Sequence, residues 1–133
     1  MDKIPVLLDT DPGNDIDDAL VISYLLRKKE CELLGVTTVT GAVEKRAAIV
    51  EVLCHAAGRK NVPIHCGRSE VLAYGPGQPG CPHYDAISKI PHKIDRKPNE
   101  AVEFMVRRRY VHVASGHTAE SRHGAAAFPQ PAS

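Results

Sequence analysis

Asp9, Asp11, Asp15, Asp17 and Asp18 place five carboxylates within ten residues near the N-terminus. Ionised together in one compact turn they repel, so either some of their pKa values rise or a cation neutralises them. The donors are hard oxygens with no Cys or His among them. Such a set suits Ca²⁺ or Mg²⁺, and a requirement for roughly six to eight oxygens of mixed denticity favours Ca²⁺. A plainer account has Asp15 and Asp17 capping a helix while Asp9 ends a strand. That account leaves Asp11 and Asp18 unexplained.

Two other acidic patterns compete. An EF-hand loop fails: its glycine is out of register, no Glu closes the loop, and a strand-like run precedes it. A strand ending in Asp-x-Asp also suits an aspartate-nucleophile phosphohydrolase, with Asp9 attacking phosphorus and Asp11 as the acid. Against it, Pro12-Gly13 stands where small hydroxylic residues belong.

The elements that position these acids follow from hydrophobic spacing. Residues 5–9, Pro-Val-Leu-Leu-Asp, form a short apolar run without alternation, which suits a strand buried on both faces of a parallel sheet. After the Pro-Gly turn, residues 17–29 carry apolar side chains over a helical length and end in Arg27, Lys28 and Lys29, which favour the helix dipole. Residues 32–39 end in the β-branched run Val-Thr-Thr-Val and read as a second strand. Val43, Ala47, Val50, Cys54 and Ala57 then fall on one helical face, with Gly58 as the stop. A brief third strand is expected over 62–65, an aperiodic Gly- and Pro-rich stretch over 67–97, and a helix over 100–108 capped by Asn99. Strands alternating with helices in this order define the α/β class, with right-handed crossovers and a parallel sheet. Such sheets place sites beyond the carboxyl ends of their strands, where the acidic loop lies.

With 133 residues, 43% of them hydrophobic and 25% charged, and a net charge of +1, the chain has the composition of one soluble domain. It gives no electrostatic case for binding nucleic acid. No apolar run reaches the ~18 residues of a membrane span, and Asp2, Asp9 and Asp11 occupy the region of a secretory leader. A cytoplasmic location is expected. Cys31, Cys54, Cys66 and Cys81 form no C-x-x-C pair and read as reduced, buried thiols.

From Arg107 the composition changes abruptly to a basic, Ala- and His-containing segment with Glu120 as its single acid. Residues 107–133 are expected to be a disordered tail, the product of a shifted reading frame, or a short basic arm. His112, His117 and His123 match no local pattern.

The string Val-Leu-Leu-Asp-Thr-Asp-Pro-Gly-Asn-Asp-Ile-Asp-Asp-Ala-Leu over residues 6–20 resembles the N-terminal motif of the inosine-uridine preferring nucleoside hydrolases. Support continues in Leu-Gly-Val-Thr-Thr-Val at 34–39, Glu-Lys-Arg-Ala at 44–47, Val-Pro-Ile-His-Cys-Gly at 62–67 and Asn-Glu-Ala-Val-Glu-Phe at 99–104. The motifs are collinear from about residue 4 to residue 106, so residues 1–106 are expected to be the N-terminal part of such a domain and 107–133 to fall outside it.

This resemblance implies an open, mostly parallel Rossmann-like sheet with flanking helices, of which the chain carries the first three strand-helix units. It implies hydrolysis of the N-glycosidic bond of ribonucleosides by a Ca²⁺-activated water, in a protein that is usually a homo-oligomer. By the same resemblance Asp11 and Asp18 are metal ligands, Asp11 is also the base for the attacking water, Asp17 holds ribose hydroxyls, and Asp9 orients the loop from behind. Asp15 and His83 are secondary candidates. Ala42 departs from the family's polar residue after Thr-Thr-Val-x-Gly, and family members are about twice this length or more. The expectation is weak Ca²⁺ binding and no riboside cleavage by the 133-residue chain. The alternative is a non-catalytic Ca²⁺-binding or interaction module.

Overall fold

The computed structural model describes residues 2–114. Three parallel strands, β1 (Ile4–Thr10), β2 (Cys31–Thr38) and β3 (Ile64–Cys66), lie in the order β1-β2-β3. The helices are α1 (Asp17–Arg27), α2 (Val43–Ala56), the single turn α3 (Tyr84–Ile87) and α4 (Ala101–Ala114). The α/β class and the parallel sheet agree with the sequence pattern. No helix among the described residues is long and apolar enough to cross a membrane.

The core forms where the periodic faces of α1 and α2 meet one side of the sheet. Ile22 and Leu26 from α1, Val36 from β2, and Val43, Ala47, Val50 and Cys54 from α2 are buried together. Gly35 and Thr37 turn to the opposite side, where Phe104 and Met105 of α4 cover them. A register shift between Val6 and Leu7 opposes the extra residue Leu34, so Leu33 and Val36 both join the α1/α2 core.

Several boundaries differ from expectation. The strand covered on both faces is β2, with α1 and α2 packed on one side and α4 on the other; β1 lies at the edge of the sheet and is only half-buried. Helix α1 ends two residues before Lys29, with Lys28 already extended. Asn99 does not cap α4: its φ of 62° is left-handed and its N–H donates to the Gly67 carbonyl at 3.2 Å. Helix α4 continues past residue 108 to Ala114, supported in its second turn by the Glu103–Arg107 pair at 3.4 Å. The remainder of the expected tail, from residue 115 on, lies outside the described residues.

Candidate functional site

The loops that leave the carboxyl ends of β1, β2 and β3 meet at one edge of the sheet. Thr40 N–H donates to the Arg68 carbonyl at 2.9 Å and Gly41 N–H to the Ser69 carbonyl at 2.7 Å, which joins the loop after β2 to the loop after β3. His83 N–H donates to the Gly13 carbonyl at 2.9 Å and brings the end of the later loop against the acidic one. The carboxyl end of the sheet, where a site is expected, is therefore bordered by segments far apart in the chain.

Asp11 and Asp18 converge there. The Asp11 N–H donates to Oδ2 of Asp18 at 3.3 Å, and both residues are half-buried. Burial first, and then the facing Asp11 carboxyl, hold the Asp18 carboxyl above the ordinary carboxylate value; the Asp11 amide and the Thr10 side chain offset part of that rise. Asp9, at the end of β1, accepts a hydrogen bond from the Thr37 hydroxyl at 2.6 Å. Thr37 is only 1% exposed, so the bond pins the neighbouring strand to the residue just before the loop.

The other candidates stand apart from this pair. Asp15 and Asp17 are exposed, and neither caps α1: Ile16 occupies the cap position without a side-chain hydrogen bond. Their carboxylates still sit favourably at the positive end of the helix. His83 has an exposed side chain, although its backbone touches the acidic loop. Among the described residues, no third His, Cys, Asp or Glu joins Asp11 and Asp18 to complete a metal cluster.

Arg46 is the residue that sequence reasoning passed over. It is 0% exposed, and its guanidinium reaches all three loops. Nε donates to the Thr40 carbonyl at 2.7 Å, and one terminal nitrogen serves Asp11, Pro12 and Asn14 in the acidic loop. The other terminal nitrogen serves the Gln78 and Gly80 carbonyls at 2.7 and 2.9 Å. The signal was present: Arg46 lies three residues after Val43 and four before Val50, so it interrupts the apolar face of α2 with a charge.

Gly13 lets the acidic loop approach this guanidinium. Its φ of 134° suits glycine, and a Cβ there would overlap the Cys81 sulfur and crowd Arg46.

The model of the inosine-uridine preferring nucleoside hydrolase family matches residues 6–123. The chain belongs to this family. The matched range runs past residue 106, where the recognisable motifs end. A uridine nucleosidase of Arabidopsis thaliana is 42% identical over 72 residues, 53% of this chain and 21% of the relative. A non-specific ribonucleoside hydrolase of Escherichia fergusonii is 33% identical over 112 residues, 77% of this chain and 34% of the relative. A solved plant nucleoside hydrolase superposes with a TM-score of 0.55 at 26% identity, covering 80% of this chain and 36% of that one. The chain thus spans about a fifth to a third of these nucleoside hydrolases.

Proposed function

We propose that this nucleoside hydrolase chain carries the cation- and water-handling part of a ribonucleoside N-glycosidic hydrolase, and that residues 1–106 form the N-terminal portion of that domain. The observation that carries the reading is the convergence of Asp11 and Asp18 at the carboxyl end of β1. Two carboxylates offer at most about four oxygens, short of the roughly six to eight that Ca²⁺ takes, so water fills the remainder and binding is weak. The pair nevertheless fits a hard divalent cation: its donors are all oxygen, and its mutual repulsion is what a cation relieves.

A Ca²⁺ bound there would lower the pKa of a neighbouring water. In this reading Asp11, whose carboxyl faces Asp18 in the half-buried part of the loop, accepts the proton of the attacking water. Asp18 shares the cation, and Asp9, held by Thr37, keeps the strand end and hence Asp11 in place. Asp17, exposed at the start of α1, is available to the hydroxyls of a ribose. Carboxylates beside the sugar would also stabilise an oxocarbenium-like transition state. The buried, unpaired cysteines suit a reducing compartment, which supports a cytoplasmic location as part of this reading.

The test is calorimetric titration of the 133-residue chain with Ca²⁺, followed by assay of inosine and uridine cleavage. Weak binding without turnover is expected, because the chain carries only part of the length of its relatives. Robust turnover overturns the inactivity, and absence of binding overturns the cation site.

One observation favours a second reading, a partner-capped Ca²⁺-binding module. Leu20 and Tyr24 are 60% and 59% exposed one turn apart on α1, where an apolar pair suits a covering chain, including a second copy as in an oligomer. A stable, Ca²⁺-dependent oligomer in size-exclusion with mass detection would distinguish this reading.

A further inference from the structure

Arg46 makes six contacts with its five N–H donors, and none of the acceptors is a carboxylate: five are backbone carbonyls and one is the Asn14 side-chain oxygen. A fully buried guanidinium without a contacting counter-ion is costly unless each donor is satisfied, and here each is. The arrangement bears directly on the acidic pair. Arg46 holds the Asp11 carbonyl at 3.3 Å and the next carbonyl, of Pro12, at 3.0 Å, while Asp18 holds the Asp11 N–H at 3.3 Å. The amide hydrogen bond orients the peptide plane before Asp11 and the carbonyl bond orients the plane after it. Since peptides are planar, these two anchors set φ and ψ of Asp11, and with them the direction in which its side chain leaves the backbone.

We propose that Arg46 is the positioning residue of the Asp11–Asp18 pair, setting the direction of the Asp11 carboxylate by tying the Asp11 and Pro12 carbonyls of the acidic loop to the 78–80 segment. Where the pair takes a cation, this rests on the reading above. The proposal makes a prediction opposite in sign to simple electrostatics. A positive charge beside a cation site repels the incoming ion, so removing it should tighten binding if charge were all that mattered. If position matters more, removing it loosens binding.

The experiment uses the whole 133-residue chain in three forms: unaltered, Arg46→Lys and Arg46→Met. Ca²⁺ affinity is measured by calorimetry, and amide hydrogen exchange is measured on the metal-free chains. Lysine keeps the charge but lacks the planar fork. The expected result is roughly tenfold or greater loss of Ca²⁺ affinity in Arg46→Lys, on the scale seen when a group supporting a metal ligand is removed. Exchange should quicken at the Asp11 and His83 amides, which bond Asp18 and Gly13, and stay unchanged at the Val36 amide, which bonds Pro63 within the sheet region. Unchanged affinity and exchange in Arg46→Lys, or tighter binding in Arg46→Met, overturns the proposal. Exchange that quickens everywhere, Val36 included, marks a merely structural arginine and also overturns it. If the unaltered chain takes no Ca²⁺, the cation reading falls by itself. The exchange data then decide: selective loss at Asp11 upholds the positioning role, and no loss overturns it.

Discussion

Asp11 and Asp18 are seven residues apart in sequence, yet the amide of the first reaches the carboxylate of the second at 3.3 Å. Burial and the facing Asp11 carboxyl raise the Asp18 pKa above its ordinary value. Between the ordinary and raised values the folded, cation-free chain holds a proton that the unfolded chain has lost. The stability contribution of this group is therefore largest below the ordinary carboxylate value and declines as pH rises through the raised one. Ca²⁺ competes for the same oxygens as the proton, so its affinity should increase over the same interval. Asp18→Asn should remove that contribution to the pH slope and weaken Ca²⁺ binding by more than the ~10–100-fold typical of losing a group behind a ligand. Urea unfolding and calorimetry across a pH series measure both; an unchanged slope in Asp18→Asn counts against the pairing.

The Thr37 hydroxyl is buried in the central strand and spends its proton on the Asp9 carboxylate at 2.6 Å. Thr37→Val keeps the shape and removes the donor. The expected loss is ~1 kcal/mol, a modest value because Asp9 itself is exposed to water. Ca²⁺ affinity should drop by ~10-fold if the bond also steadies the loop. Thr37→Ser should retain most of both. An unfolding midpoint for Thr37→Val equal to that of the unaltered chain would show that the hydrogen bond contributes nothing measurable.

The local pattern of α2 was readable because Val43, Ala47, Val50 and Cys54 recur at the helical period, and all four are buried. Arg46 on that same face was harder to interpret. Its acceptors at Asn14, Gln78 and Gly80 lie 32 to 34 residues away, and no local spacing announces them. The positions of β1 and β2 in the sheet were likewise invisible, since two apolar runs of similar character do not say which has neighbours on both sides. For Asn99, composition suggested a helix cap, but its N–H is drawn to Gly67 and the turn moves one residue on. The acidic loop could be read as a cluster; that Asp11 meets Asp18 while Asp15 and Asp17 remain outside depends on the path of the turn.

All four cysteines are buried and free, and burial raises each thiol pKa, that of Cys54 to about 11. At pH 8 a thiol with that pKa is ionised to roughly one part in a thousand, and the thiolate is the reactive form. The native chain should thus react slowly with iodoacetamide or a chromogenic disulfide, whereas the denatured chain should react at all four positions. Quick labelling of the native protein, read by mass spectrometry, would indicate that the core opens readily at that cysteine.

Gly13 and Cys81 pack directly against each other, with the Cys81 sulfur occupying the space a Gly13 side chain would need. Gly13→Ala therefore carries two penalties: contact with the sulfur, and a φ of 134° that an L-residue rarely adopts. Together these should cost ~2–4 kcal/mol. Adding Cys81→Ala relieves the contact but not the backbone strain, so the double variant should recover roughly 1 kcal/mol relative to the sum of the single changes. A denaturant-unfolding cycle measures that coupling. Strict additivity would mean that the backbone conformation alone requires glycine at this position, and that the 81–83 segment can withdraw from the acidic loop without loss.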